Sequence, residues 1–168
     1  MLTLISLIAA ATAAAPESTT EESAMHAARS QRIVEAFNGL SMDTMDQLGE
    51  FYAQEVVFED PLGRIEGLDR LRAYYEGMYK NVQAIRFDFT NEVAEGDTHV
   101  AVWTMTMQVK GLNRGRPVVV DGNSVIRFGA EDTVVYHRDY FDVGAMVYEH
   151  VPVVKSLVKA IKKRLAKH

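Results

Sequence analysis

The sequence predicts an α+β domain, in which a cone-shaped, curved antiparallel sheet packs against three helices from the N-terminal half. Three observations support this fold class. Residues 23–79 carry apolar side chains mostly at helical spacing, residues 84–143 alternate with a period of two, and residues 151–168 return to helical spacing. Helices followed by a run of antiparallel strands are typical of α+β folds, and the open end of such a cone forms a pocket.

Three helices are predicted before the sheet. The first covers residues 23–38 and ends at Gly39, with an apolar stripe of Ala27, Ile33, Val34 and Phe37. Ser41 can cap a second helix, whose apolar face comprises Met42, Met45, Leu48 and Tyr52. The third covers residues 67–79, with Leu68, Leu71, Tyr75 and Met78 in register.

Five strands are predicted, and a C-terminal amphipathic helix follows them. Residues 55–59 form the first strand, and the others are "AIRFDFTNEV", "HVAVWTMTMQV", "VVVDGNSVIRF" and "TVVYHRDYFDV". The glycine- and proline-containing segment "KGLNRGRP" is a turn. After Pro152, a helix is predicted from the apolar stripe of Val154, Leu157, Val158, Ile161 and Leu165.

The charge distribution excludes one class of partner. The net charge of the 168-residue chain is -5, but residues 151–168 hold six Lys or Arg and no acidic side chain. The remainder has 12 basic and 23 acidic side chains, a net charge of -11. An acidic body of this kind argues against nucleic-acid binding.

No cofactor and no metal ion are predicted. The chain has no cysteine, which excludes disulfides, a thiolate nucleophile and thiolate metal ligands. The histidines are scattered without ligand spacing, and neither a nucleophile elbow nor a phosphate-binding loop is present.

The N-terminal segment is set apart from the fold. Residues 1–22 resemble a secretory signal in their apolar run and in the small residues Ala11, Thr12 and Ala13, but they lack a basic start. Export is slightly favoured. The alternative is a cytoplasmic protein that begins at Met25. The predicted organisation is thus a signal-like or disordered segment at 1–22, a cone domain at 23–150 and a basic helix at 151–168.

Three short motifs carry a family resemblance. "VFEDPLG" at 57–63 is the most specific, and "SVIRF" at 124–128 and "RDYFD" at 138–142 are weaker. Over residues 27–143, the chain resembles the ketosteroid isomerase branch and the SnoaL-like polyketide cyclases of the nuclear transport factor 2-like superfamily. The resemblance implies that Asp60 is a general base that moves a proton between carbons, and that Tyr75 and Phe141 line the pocket.

The chain departs from the ketosteroid isomerases at the groups that stabilise an oxyanion. The tyrosine that the family carries on its first helix falls at Ala36 or Phe37, and the family's neutral aspartic acid falls at Ser124. One oxyanion donor is worth about 3–4 kcal/mol. The steroid reaction itself is therefore disfavoured.

The alternation of the last strand adds candidates to the pocket. If Phe141 faces the pocket, Asp139 and His137 share its face. The candidate catalytic residues are Asp60, Asp139 and His137, and the candidate substrate-binding residues are Phe58, Tyr75, Trp103, Met105, Met107, Ser124 and Phe141. Each has a structural alternative: Asp60 can cap the Pro-Leu-Gly turn, Asp139 can pair with Arg138 or Arg127, and His137 can be a core histidine.

Three functions fit these residues. The first is cofactor-free acid–base chemistry of isomerase, cyclase or lyase type on a small hydrophobic molecule. The second is non-catalytic binding of a hydrophobic or lipid-like ligand, and the third is a dimeric interaction domain.

Two surfaces carry expectations about partners. A homodimer is expected through the outward face of the sheet, which holds Val102, Thr104, Val125, Arg127, Tyr136 and Tyr140. The basic C-terminal helix can cover its own domain or lie on a membrane surface, and the first interpretation is favoured.

Overall fold

Six strands form one curved, open sheet in a computed structural model that describes residues 17–150 and 152–165. The spatial order is β2-β1-β6-β5-β4-β3, and every neighbouring pair is antiparallel except β1 and β6, which run parallel. The strands are β1 (Tyr52–Asp60), β2 (Gly63–Glu66), β3 (Val82–Glu95), β4 (Thr98–Val109), β5 (Val118–Phe128) and β6 (Val134–Phe141). The α+β fold class is confirmed, with the parallel pair and the four-residue strand β2 as unpredicted features.

Five α-helices accompany the sheet. They are α1 (Glu17–Gly39), α2 (Leu48–Phe51), α3 (Leu68–Tyr79), α4 (Val143–Met146) and α5 (Pro152–Leu165). Helix α1 begins six residues before its predicted start, and the first 16 residues of the signal-like segment lie outside the described residues. In the described part of the chain, no helix has the length and apolar character needed to cross a membrane.

The second predicted helix was only partly right. A 3-10 turn (Met42–Gln47) precedes the short α2, and Thr44 completes a capping box with Ser41. Tyr52, which was predicted on the helix, is the first residue of β1 and pairs with Val134 of β6. The apolar spacing continues through this residue, but its pairing with the last strand decides its conformation.

Helix α1 is fixed to the sheet by a buried arginine. The Arg29 guanidinium donates to Asp132 Oδ1 at 2.6 Å and to Asp97 Oδ1 at 2.9 Å, and it lies over the Phe128 ring. Because only 5% of Arg29 is exposed, these charge-assisted bonds replace the water that it loses on folding. They hold α1 against the loops at one end of the sheet.

The alternation predicted for β4 is confirmed. The buried residues of this strand share the face that meets the helices: His99, Ala101, Trp103, Met105 and Met107. On the neighbouring strands β5 and β6, Ser124 and His137 are buried on the same face. Polar and titratable groups are therefore enclosed with the core, between the sheet and α1 and α3.

Candidate functional site

A cavity of about 430 Å³ lies between the inner face of the sheet and the helices. Most of its lining is aromatic or methionine, comprising Phe37, Tyr52, Phe58, Tyr74, Tyr75, Tyr79, Phe87, Trp103, Met105, Met107, Phe141 and Met146. Three ionisable side chains at its core side come from the ends of two strands, Asp60 from β1 and His137 and Asp139 from β6. An apolar chamber with a few convergent polar groups is typical of small-molecule sites.

The strand registers explain how these side chains meet. Phe58 of β1 pairs with His137 of the parallel strand β6, and Asp139 pairs with Ser124 of β5. All the predicted site residues line the cavity except Ser124. Ser124 has no exposed surface and lies behind Asp139, to which it donates a hydrogen bond.

Asp60 holds a turn and also faces the cavity. Its Oδ1 accepts hydrogen bonds from the backbone N–H groups of Leu62 at 2.8 Å and Gly63 at 2.9 Å. Its Oδ2 accepts a short hydrogen bond from the Tyr74 hydroxyl. Both alternatives for Asp60, turn cap and cavity carboxylate, therefore describe the same side chain, and each of its oxygens is occupied by at least one donor.

Asp139 is the end point of a buried hydrogen-bond network. Its Oδ1 receives the Ser124 hydroxyl at 2.5 Å and lies 2.8 Å from His137 Nε2. Trp103 Nε1 donates to Ser124 Oγ at 2.9 Å. Among the described residues, no group bonds to Asp139 Oδ2, so one carboxylate oxygen remains free for a ligand.

The other side of His137 continues the network. Its Nδ1 lies 2.7 Å from the Tyr52 hydroxyl, which lies 3.2 Å from the Tyr75 hydroxyl. A carboxylate only accepts hydrogen bonds, so His137 Nε2 donates to Asp139 and Nδ1 accepts from Tyr52. Tyr52 then accepts from Tyr75. Every proton in this chain is directed toward Asp139, which we call the Asp139 network (Tyr75, Tyr52, His137, Asp139, Ser124 and Trp103).

The basic residues considered as partners of Asp139 lie elsewhere. Arg138 forms an ion pair with Glu59, with 3.2 Å between Nη1 and Oε2, and Arg127 lies over the Tyr136 ring. The charge of Asp139 thus meets His137 and Ser124 rather than an arginine. In residues 17–150 and 152–165, no cluster of three His, Cys, Asp or Glu could hold a metal ion.

Burial keeps the cavity tyrosines in their neutral form. Desolvation raises the pKa of Tyr52 and Tyr75 well above the usual value of tyrosine, and the nearby charge of Asp139 raises it further. The pKa of Tyr79 is raised by the same two causes. Desolvation and the hydrogen bond to Asp60 raise the pKa of Tyr74. At neutral pH, all four phenols are hydrogen-bond donors.

Tyr79 is the cavity tyrosine with a donor to spare. Tyr52, Tyr74 and Tyr75 spend their hydroxyls on His137, Asp60 and each other. Within the described chain, the Tyr79 hydroxyl has no hydrogen-bond partner, although Tyr79 is 8% exposed and lines the cavity. A neutral phenol in this position can donate to an oxygen atom of a ligand.

Sequence reasoning missed Tyr52, Tyr74 and Tyr79. Tyr74 directly precedes the predicted Tyr75, and Tyr79 follows that residue by one helical turn, so the spacing in "AYYEGMY" was a usable signal for Tyr79. No local signal identifies Tyr52, because its contact with His137 depends on a strand pairing between distant parts of the chain.

Gly122 is required by the position of Trp103. The two residues pair across β4 and β5, and a Cβ on Gly122 would lie 2.6 Å from Trp103 Cζ3. We expect Gly122→Ala to displace the indole, break its bond to Ser124 and lower the free energy of unfolding by about 2–4 kcal/mol. Gly77→Ala is the matched control, because a Cβ there meets no atom within 4 Å. Urea unfolding of both variants, followed by Trp103 fluorescence, tests this; equal stabilities would contradict it.

The buried tyrosines predict a loss of stability at alkaline pH. A tyrosine whose pKa is raised in the fold stabilises the protein fully below its unfolded pKa of about 10, and this stability is lost as pH rises from there. We expect the free energy of unfolding to fall above pH ~10, by up to about 1.4 kcal/mol per pH unit for each such tyrosine. Urea unfolding across this range tests it, and Tyr52→Phe should make the slope shallower. A slope that Tyr52→Phe leaves unchanged would contradict the assignment.

The comparisons with known proteins agree with the geometry. The family model described as the SnoaL-like domain matches residues 30–137, which is more than half of the chain. No curated protein matches the sequence.

Three solved structures are among those similar to this chain. An NTF2-like protein of unknown function from Burkholderia pseudomallei is 18% identical with a TM-score of 0.63, covering 73% of this chain and 97% of its own. A protein described as a SnoaL-like polyketide cyclase from Jannaschia is 16% identical with a TM-score of 0.63, at 73% and 89% coverage. A protein from Catenulispora acidiphila with a ketosteroid isomerase-like fold, in complex with trimethylamine, is 15% identical with a TM-score of 0.62, at 73% and 90% coverage. At these identities, the likeness concerns the fold.

Proposed function

Because this chain belongs to the SnoaL-like domain family, we propose that it catalyses cofactor-free acid–base chemistry of isomerase or cyclase type on a small hydrophobic carbonyl compound. The observation that carries this proposal is the free Oδ2 of Asp139 in an apolar cavity, behind which a satisfied hydrogen-bond network holds Oδ1. A carboxylate positioned by fixed partners and open on one side is suited to proton transfer.

The geometry favours Asp139 over Asp60 as the general base. The resemblance alone assigned this role to Asp60, but both oxygens of Asp60 already accept hydrogen bonds, two of them from the turn that it caps. Asp139 has one engaged and one free oxygen. In our proposal, Asp139 Oδ2 removes a proton from the carbon next to the substrate carbonyl, and the C–H electron pair moves into the enolate.

Tyr79 is proposed as the donor to the enolate oxygen. Its hydroxyl is neutral and faces the cavity, and its pKa is raised partly by the charge of Asp139. This donor would replace those that the family carries at the positions of Ala36 or Phe37 and Ser124. Asp139 then returns the proton to a second carbon in an isomerisation, or the enolate carbon attacks a second carbonyl of the same molecule in a cyclisation.

Deuterium exchange tests this proposal without knowledge of the product. A panel of small cyclic ketones and diketones is incubated with the protein in D₂O, and the loss of the α-proton signals is followed by NMR. We expect exchange above the buffer rate for at least one apolar ketone, and a reduced rate with Tyr79→Phe. Ligands that raise the melting temperature without any exchange would favour the binding function instead.

We also propose that a second copy of the chain covers the outer face of the sheet. This face exposes Val102, Val119 and Tyr140 at 38%, 60% and 43%, together with arginines stacked on Tyr136 and Tyr140. Light scattering should give twice the chain mass of 18.8 kDa, and the pair Val119→Glu and Tyr140→Glu should give a monomer. A monomeric mass for the parent protein would contradict the proposal.

A further inference from the structure

The C-terminal helix α5 exposes its apolar stripe. Leu157, Ile161 and Leu165 are 63%, 51% and 72% exposed, and Val154 and Val158 are half-buried. The sequence allowed this helix to cover its own domain with the same stripe, but the structure leaves the outer three side chains uncovered by the described residues. Three large aliphatic side chains on one face of a helix form a patch that favours contact with an apolar surface.

A polar flank of α5, rather than its apolar stripe, is held by the domain. Lys162 Nζ lies 2.6 Å from Glu149 Oε1 and 3.8 Å from Asp142 Oδ2. Helix α5 packs beside the 3-10 turn formed by Tyr148–His150, which follows α4 and the cavity residue Met146. Two acidic side chains of the domain thus bind the basic flank and leave the stripe turned outward.

The charge of this segment indicates what the stripe contacts. Residues 151–168 contain six Lys or Arg and no acidic side chain, whereas the rest of the chain has a net charge of -11. On a helical projection, Lys162 and Lys163 follow one side of the stripe and Arg164 lies on the other. An apolar stripe flanked by cations matches the boundary of an anionic lipid bilayer, where acyl chains lie beneath negative headgroups.

We propose that α5 binds the surface of anionic lipid bilayers, with its apolar stripe in the acyl boundary and its basic residues against the headgroups. A second copy of α5 is disfavoured as the occupant, because two helices of the same positive charge repel each other. The 14 residues of α5 span about 21 Å, less than the ~30 Å hydrocarbon core, so the helix lies along the surface. This proposal is independent of the chemistry in the cavity.

Vesicle flotation with the full chain tests the proposal. The vesicles are phosphatidylcholine alone, or phosphatidylcholine with about 30 mol% phosphatidylglycerol. We expect at least tenfold more protein on the anionic vesicles in about 0.1 M salt, and most of it to be released in about 1 M salt, where headgroup charges are screened. Equal binding to neutral and anionic vesicles would overturn the proposal.

Matched variants assign the binding to α5. The test variant is Leu157→Gln, Ile161→Gln and Leu165→Gln, which keeps residues that favour helices and removes the stripe. The control is Val34→Gln, Met42→Gln and Val93→Gln, three apolar residues exposed by 39% or more on the domain. The test variant should lose anionic-vesicle binding at least tenfold, and the control should keep it. This pair is needed because residues 2–15 are also apolar and could bind lipid by themselves.

A second variant and a mass measurement close the alternatives. Lys163→Gln with Arg164→Gln should weaken anionic-vesicle binding severalfold, even if the triple variant proves poorly helical by circular dichroism. Unchanged binding in both variants would overturn the proposal. It would also be overturned if the triple variant changed the oligomeric mass in the absence of lipid, because the stripe would then contact a second copy of the chain.

Discussion

Asp139→Asn is expected to lower the rate of carbon-proton exchange by about 10²- to 10⁴-fold, the usual contribution of a positioned general base. The asparagine Oδ1 can still accept the hydrogen bonds of Ser124 and His137, so the network keeps its geometry. The cavity-facing oxygen becomes an amide nitrogen, which cannot take a proton. The free energy of unfolding should remain within about 1 kcal/mol of the parent value.

Asp60→Asn is the matched comparison, since it removes the other carboxylate of the cavity. Asparagine keeps the acceptor for the backbone of Leu62 and Gly63, so exchange should fall less than about tenfold if Asp60 is not the base. Asp60→Ala removes the turn cap and should cost about 1–2 kcal/mol of stability. If Asp60→Asn abolishes exchange and Asp139→Asn does not, the role implied by the family resemblance is right and our assignment from the geometry is wrong.

The sheet could be predicted because its signal is local. Alternation along β4 identified the buried face, and the same rule put Phe58 with Asp60 and His137 with Asp139. The rule failed where the signal depends on distant chain. Tyr52 continues a helical apolar pattern, and only its pairing with β6 makes it a strand residue that contacts His137.

The chemistry of the site was less predictable than its membership. Whether Asp60 or Asp139 has a free oxygen depends on which donors each one meets, and those donors come from α3, from β5 and from a turn. The same limit applies to Tyr79, whose value lies in the partner that its hydroxyl lacks. The stripe of α5 was visible in the sequence, but its exposure depends on how Lys162 is held by Glu149.

Phe58→Ala is expected to cause the largest loss of stability, about 3–5 kcal/mol. Phe58 is 1% exposed, and its ring centroid lies 5.0 Å from that of His137, 5.5 Å from Tyr75 and 5.9 Å from Tyr74. Truncation removes apolar contacts and leaves a void beside the existing cavity, because a strand in the middle of the sheet cannot collapse into it. Against a typical total of about 5–15 kcal/mol, this loss takes the fold close to its limit.

Phe58→Leu separates the packing of this ring from its effect on His137. Leucine restores much of the volume, so the loss of stability should be well under half of that for alanine. The edge-to-face contact with the imidazole is nevertheless lost in both variants, and the ring of His137 gains freedom to turn away from Asp139. We therefore expect Phe58→Leu to reduce exchange more than its modest destabilisation would imply, because a small misplacement of the positioning histidine is costly to proton transfer. Urea unfolding and deuterium exchange on the same preparations measure both effects. A leucine variant that loses stability but keeps the parent exchange rate would show that Phe58 serves the core alone, and that the Asp139 network holds its geometry without it.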